Sequence, residues 1–167
     1  MPDSHYKKGG VMLEINVPGF GIIRLEHLVC DFTGTLSVDG RLLPGVKEQI
    51  ERLAQHVTVH VVTADTCGTA RDELQNMPCS ITVLSAADHD IQKEDYVKKL
   101  GADHVVAIGN GNNDRRMLRA VRLGIAVIEG EGASAQAVMA AAIVTRNIAD
   151  AFNLLLNPTR CKATLRF

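Results

Sequence analysis

The sequence predicts an α/β domain, a three-layer sandwich in which a mostly parallel central sheet is covered by helices on both faces. Three observations predict it. Short apolar runs rich in β-branched residues recur along the chain, with Val57-Thr58-Val59-His60-Val61-Val62-Thr63 the clearest. Segments of about ten residues with helical periodicity separate them. No internal repeat or low-complexity linker interrupts the alternation. Strand–helix alternation implies βαβ units, parallel pairing and right-handed crossovers.

The elements follow in order. Residues 1–10 are polar and end in Gly9-Gly10, which predicts a flexible arm. Residues 11–167 are expected to form a single domain: a β-hairpin over 11–25, a core over 27–157 and a tail over 158–167. The hairpin is read from two apolar runs around Pro18-Gly19-Phe20-Gly21. Leu28-Val29-Cys30 forms the first core strand, ending at Asp31. Residues 37–43 make a small flap around the tight Asp39-Gly40 turn.

Pro44 then opens a helix carried by Val46, Ile50 and Leu53. Strand 57–63 follows. Asp65-Thr66 is expected to cap a helix over about 67–76, closed off by Pro78. Next come a strand over 80–84, a helix over 92–100 ended by Gly101, and a strand over 104–108. The polar turn 109–114 leads to a helix over about 114–122, a strand over 123–128 and an Ala-rich helix over 133–141. A short strand over 142–145 and a helix over 147–156 complete the core. The weakly alternating 161–167 reads as an edge strand.

The totals limit the function. A chain of 167 residues suffices for one domain with a sizeable core. A formal charge of -1, with no long run of one sign, argues against a nucleic-acid surface or a polybasic membrane patch. No apolar run is long enough to span a bilayer, and residues 1–8 lack the apolar core of a signal peptide. Cys30, Cys67, Cys79 and Cys161 form no C-x-x-C pair, so scattered reduced thiols and a cytoplasmic setting are expected.

A parallel sheet puts the carboxyl ends of its strands on one edge, where ligands bind. Asp31 with Thr33 and Thr35, Thr63, and the Gly109-Asn110-Gly111-Asn112-Asn113-Asp114 turn should therefore converge, although they lie far apart in sequence. Each alone has a plain reading: Asp31 as a turn residue, Thr63 as a strand end, Lys93 as a solvated lysine, Asp65 as a helix cap. Together they suit phosphoryl transfer. A carboxylate can attack phosphorus, a hydroxyl and a lysine can hold the phosphoryl oxygens, and hard oxygen donors suit Mg²⁺. Backbone N–H groups around Gly34 can help hold the anion.

Asp31-Phe32-Thr33-Gly34-Thr35 resembles the first motif, Asp-x-(Asp/Thr)-Gly-Thr, of the haloacid dehalogenase (HAD) superfamily. Thr63 matches the second motif, Lys93 is the best match to the third, and residues 109–114 match the fourth, Gly-Asp-Gly-x-Asn-Asp, except at Asn110. The resemblance runs from about Leu28 to Asn157. It implies a Rossmann-like, HAD-like core. Asp31 would be nucleophile and metal ligand, and Thr33 would serve catalysis and offer its carbonyl to Mg²⁺. Gly34, Thr35, Thr63 and Lys93 would bind the phosphoryl group, with Thr63 and Lys93 also counted as catalytic. Asn110 and Asp114 would complete the metal site.

Two departures matter. Thr33 stands where most HAD phosphatases carry a general acid/base aspartate, and the Asp-x-Thr-Gly-Thr form looks like the phosphorylation domain of P-type ATPases. Asn110 removes one negative charge from the metal site. The family's cap domains have no room here, since only the 37–43 flap follows the first motif and residues 63–93 already hold a helix and a strand. A capless site is open, which suits a macromolecular substrate or closure by a neighbouring subunit in a homo-oligomer; the expected partner is a phosphorylated small molecule or macromolecule. The expected function is a Mg²⁺-dependent phosphohydrolase acting through an aspartyl phosphate on Asp31. The alternatives are slow ATP-dependent autophosphorylation and a non-catalytic module that binds a phospho-ligand or a protein.

Overall fold

The computed structural model describes residues 12–167, so the expected arm over 1–10 lies outside the described residues. Six strands form one wholly parallel sheet: β3 (His27–Cys30), β6 (Thr58–Thr63), β7 (Ser80–Val83), β8 (Val105–Gly109), β9 (Leu123–Val127) and β10 (Ile143–Thr145). Their order across the sheet is β10-β9-β8-β3-β6-β7. The expected alternation is therefore present, and β3 sits centrally with β8 and β6 on either side.

Alternation along the strands divides the core in two. On one face, Leu28 and Cys30 of β3, Val59 and Val61 of β6, and Val106 and Ile108 of β8 are buried. They pack with α1 (Val46–Leu53), through Val46, Ile50 and Leu53, and with α6 (Ile148–Leu156), through Ala151, Phe152 and Leu155. On the other face, Val29, Val62 and Ala107 meet Val97 of α3 (His89–Leu100), Met117 and Leu118 of α4 (Arg115–Ala120), and Ala137 of α5 (Ala135–Ala140). Strands buried on both sides explain the unbroken apolar runs. Each large side chain buried this way contributes about 1.5–3 kcal/mol of transfer free energy.

The hairpin predicted over 11–25 pairs β1 (Leu13–Val17) with β2 (Gly21–Leu25) as a separate antiparallel sheet. Its Leu13, Ile15, Val17, Ile23 and Leu25 are buried in the first core, while Glu14 and Arg24 on the outer face pair at 2.9 Å. The flap is β4 (Ser37–Val38) and β5 (Arg41–Leu42), joined by Asp39 and Gly40 with φ of 52° and 74°. Those positive values are what a type I′ hairpin turn demands.

Two expectations need correcting. The tail expected as an edge strand is a helix, α7 (Pro158–Leu165). Pro158 sits at its first turn, where a missing N–H costs nothing. Cys161 and Leu165, four apart, turn to the core on one helical face, so the 3.6 period overrides the weak alternation. The helix expected over 67–76 is only one turn, α2 (Ala70–Glu73), because Gly68 and Asn76 take positive φ at its two ends. The Asp65 carboxylate accepts the Thr69 and Ala70 N–H groups at 3.1 Å each, so its capping reading holds.

Candidate active site

Asp31 follows the last residue of β3, and its N–H continues the parallel pairing onto Ile108 O of β8 at 3.0 Å. Its side chain is 5% exposed. Lys93 rises from the second turn of α3 and is fully buried. Its Nζ lies 2.9 Å from Asp31 Oδ1 and 2.7 Å from Asp114 Oδ1. A buried ammonium is tolerable only with such partners.

Asp114 has both oxygens engaged. Oδ1 holds Lys93, and Oδ2 accepts the N–H groups of Asn110 at 3.0 Å and Gly111 at 2.9 Å. This closes the turn from the end of β8 through the single 3₁₀ turn at Asn112–Asp114. Gly109 is needed there, since a β-carbon on it would run into the Asp114 carboxylate. The site thus holds two carboxylates and one ammonium, a net of one negative charge. Burial, and then the charge of Asp114, raise the Asp31 pKa to about 6 against the opposing pull of Lys93. Burial works to lower the Lys93 pKa, but Asp114 and Asp31 outweigh it and hold the ammonium above its ordinary range.

The remaining sequence candidates gather around this trio. Thr63 ends β6, and its Oγ1 accepts the Asp65 N–H at 2.9 Å, which leaves the hydroxyl proton to donate elsewhere. Thr35 donates its hydroxyl to Asn110 Oδ1 at 3.2 Å, and Asn110 Nδ2 donates to Gly132 O at 3.0 Å. Gly34, at φ 76°, fits against Asn110, whose amide nitrogen a β-carbon would strike. The hydroxyl oxygen of Thr33 is buried with no hydrogen-bond partner.

A cavity of about 170 Å³ opens onto this edge, lined by Asp31, Thr33, Thr63, Ala64, Thr66, Asn110, Gly111 and Asn113. Lys93, Asp114, Gly34 and Thr35 are not part of that lining: Lys93 contacts it through Asp31, and Gly34 and Thr35 through Asn110. Thr66 and Asn113 were not expected from sequence. They sit in the loops after β6 and β8, and those loop positions were the available signal. The flap is tied down beside the cavity: the Asp39 N–H donates to Glu131 at 2.7 Å, the Thr69 hydroxyl to Gly40 O at 2.6 Å, and the Leu42 N–H to Glu73 at 2.8 Å.

Among the described residues no group of three or more His, Cys, Asp or Glu side chains could hold a metal ion. The residues with side-chain oxygens that line the cavity are Asp31, Thr33, Thr63, Thr66, Asn110 and Asn113. Such hard donors fit Mg²⁺, which keeps several waters and takes one or two carboxylates together with phosphate oxygens. No helix of the described residues is long and apolar enough to cross a membrane.

Two carboxylates around a buried ammonium at the carboxyl ends of parallel strands are groups able to hold a phosphoryl group. Comparison with known proteins gives the family. Residues 84–151 match the haloacid dehalogenase-like hydrolase family. The uncharacterized protein MJ0073 of Methanocaldococcus jannaschii is 46% identical over 77 residues, covering 46% of this chain and 77% of that protein.

Among solved structures, the cobalt-bound deoxy-D-mannose-octulosonate 8-phosphate phosphatase of Haemophilus influenzae superposes with a TM-score of 0.67. It is 15% identical, with 86% of this chain and 94% of that one covered. The 3-deoxy-D-manno-octulosonate 8-phosphate phosphatase of Moraxella catarrhalis, in complex with magnesium, phosphate and the sugar acid, gives 0.60 at 17% identity, covering 85% and 94%. The chain belongs to the haloacid dehalogenase superfamily. Its likeness to P-type ATPases rests on the Asp-x-Thr-Gly-Thr sequence alone.

Proposed function

We propose that the protein is a Mg²⁺-dependent phosphohydrolase that forms an aspartyl phosphate on Asp31. The observation that carries this reading is the fully buried Lys93 held between Asp114 and Asp31, the latter on the wall of a hydroxyl-lined cavity. A solvated lysine would not be buried against two carboxylates at the end of the central strand. Asp31, the Thr33 peptide carbonyl and Asn110 would hold the ion. Mg²⁺ when bound would neutralise charge on the phosphoryl oxygens. Asp114, with both oxygens engaged, acts as a positioning residue for Lys93.

In the first step an Asp31 carboxylate oxygen bonds to phosphorus as the bond to the leaving oxygen breaks. Thr63 donates its free hydroxyl proton to a phosphoryl oxygen, and Lys93 opposes the developing charge. The Thr33 hydroxyl is a weak acid, so the leaving oxygen takes its proton from water. In the second step water attacks phosphorus and gives up its proton to solvent, which restores the proton taken by the leaving oxygen; the bond to Asp31 breaks, the carboxylate is regenerated and inorganic phosphate leaves. The substrate fitting so small an opening is a phosphorylated small molecule presented at an uncapped edge. The phosphatases of similar fold, whose names give a sugar-acid phosphate as substrate, support that class.

A second reading has an observation of its own. The Asn110 oxygen is engaged by Thr35 and its nitrogen by Gly132, which suits a module that binds a phospho-ligand without turning it over. Melting curves with Mg²⁺ and beryllium fluoride, a mimic of the phosphoryl group on a carboxylate, separate the two. A Mg²⁺-dependent rise lost in Asp31→Asn, together with phosphate release from an aryl phosphate, supports the enzyme. A rise without turnover selects the binding module, and no rise rejects the phospho-aspartate site.

A further inference from the structure

A second concentration of charge lies on the outer side of α4. A cavity of about 350 Å³ is lined there by Glu94 of α3, Arg115, Arg116, Arg119 and Ala120 of α4, and Gln136 of α5. Arg115 and Arg116 share one Asp90 oxygen at 2.8 and 3.0 Å. Glu94 is divided too, with one oxygen 3.1 Å from Arg116 and the other 2.7 Å from Lys98. Arg119 is exposed in the same cavity, and its side chain makes no hydrogen bond or ion pair among the described residues. Three arginines and one carboxylate line this concave opening, so positive charge is in surplus there although the whole chain carries a formal charge of -1.

The geometry suits one ligand chemistry. Arg115 and Arg116 stand four and three residues before Arg119, so all three lie along one face of the helix. Guanidinium groups offer planar pairs of N–H donors that match phosphate oxygens. Ala120 leaves room on the floor, and Gln136 adds an amide from the facing helix. None of these residues belongs to the Asp31–Lys93–Asp114 trio. We propose that this groove is a second anion site, separate from the reaction centre, which takes a phosphate-bearing ligand. Occupancy would be felt at the first site, because Arg115 also donates to Asn112 O in the turn below Asp114 at 2.8 Å.

The test is a titration of the full chain with inorganic tripolyphosphate at constant ionic strength, followed by amide proton–nitrogen correlation spectra. The expected result is saturable shifts at Arg115, Arg116, Arg119 and Gln136. Arg119→Glu should weaken that binding about tenfold or more while leaving the rest of the spectrum in place, with Arg119→Lys between the two. Arg119 is exposed and packs in neither core, so its replacement leaves the fold intact. The same shifts should persist in Asp31→Asn, which keeps this site's outcome independent of the phosphohydrolase reading. Shifts confined to residues 63–66 and 109–114, the absence of saturation at the groove, or binding unchanged by Arg119→Glu would each overturn the proposal.

Discussion

Asp114 holds Lys93 at 2.7 Å with one carboxylate oxygen while its other oxygen closes the turn that carries Asn110 and Gly111. One side chain thus sets both the position of the buried lysine and the shape of the loop beside it. Asp114→Asn removes the charge that most favours the buried ammonium. The expected outcome is a loss of about 3–5 kcal/mol of stability, the scale for breaking a buried pair from one side. Denaturant unfolding measures it. Lys93→Met with Asp114→Asn should cost less than the sum of the two single changes, because the double variant leaves no unpaired ammonium.

The sequence shows the order of elements, the convergence at the strand ends and Asp31 itself, because strand ends in a parallel sheet are fixed by topology. It does not show the division of labour inside the site. Asp114 and Asn110 are four residues apart in one motif and both read as metal ligands, yet the 3₁₀ turn points Asp114 at Lys93 and at the backbone. Glu131 was equally invisible. Its bond to Asp39 spans 92 residues, and nothing local in the chain marks it. The tail failed for a different reason, since a short segment with apolar residues at 161, 163 and 165 satisfies both periods until packing chooses one.

Thr33 tests the missing general acid. Its hydroxyl oxygen is buried without a partner on the cavity wall. Thr33→Asp places a carboxyl group where the leaving oxygen would depart. Turnover of an alkyl phosphate, which needs leaving-group protonation, should rise by roughly 10²–10⁴-fold, and that of an aryl phosphate with an acidic leaving group much less. Steady-state kinetics on the two substrates check the difference. Equal effects on both would mean that Thr33 does not face the leaving group.

Asn110 tests the missing charge. Asn110→Asp adds a carboxylate to the proposed ion site beside Asp31 and should tighten Mg²⁺ binding about tenfold or more. It also turns an acceptor toward Gly132 O, which now accepts from the amide at 3.0 Å. A destabilisation of about 1–3 kcal/mol without metal is therefore expected, and added Mg²⁺ should offset it. Calorimetric Mg²⁺ titration and melting curves with and without the ion measure the two effects. Unchanged affinity would remove Asn110 from the metal site.

His60 predicts acid sensitivity remote from the cavity. Its ring bridges His27 at 3.0 Å on one nitrogen and Tyr96 and Ser80 at 3.0 and 3.1 Å on the other. Burial, then repulsion from His27, lower its pKa from 6.5 to about 4. The folded state therefore binds fewer protons than the unfolded chain between those values. This contribution to stability is complete above pH 6.5 and is lost as pH falls to about 4, amounting to about 3 kcal/mol. Asp31 works in the opposite direction. Its pKa is raised from 3.8 to about 6, so its protonation stabilises the fold over much of the same interval. The informative quantity is the difference between parallel denaturation series of Asp31→Asn and of Asp31→Asn combined with His60→Gln. The single variant should lose stability steadily from pH 6.5 to 4, and the double variant should be nearly flat there. Equal slopes would show that His60 is protonated in the folded state.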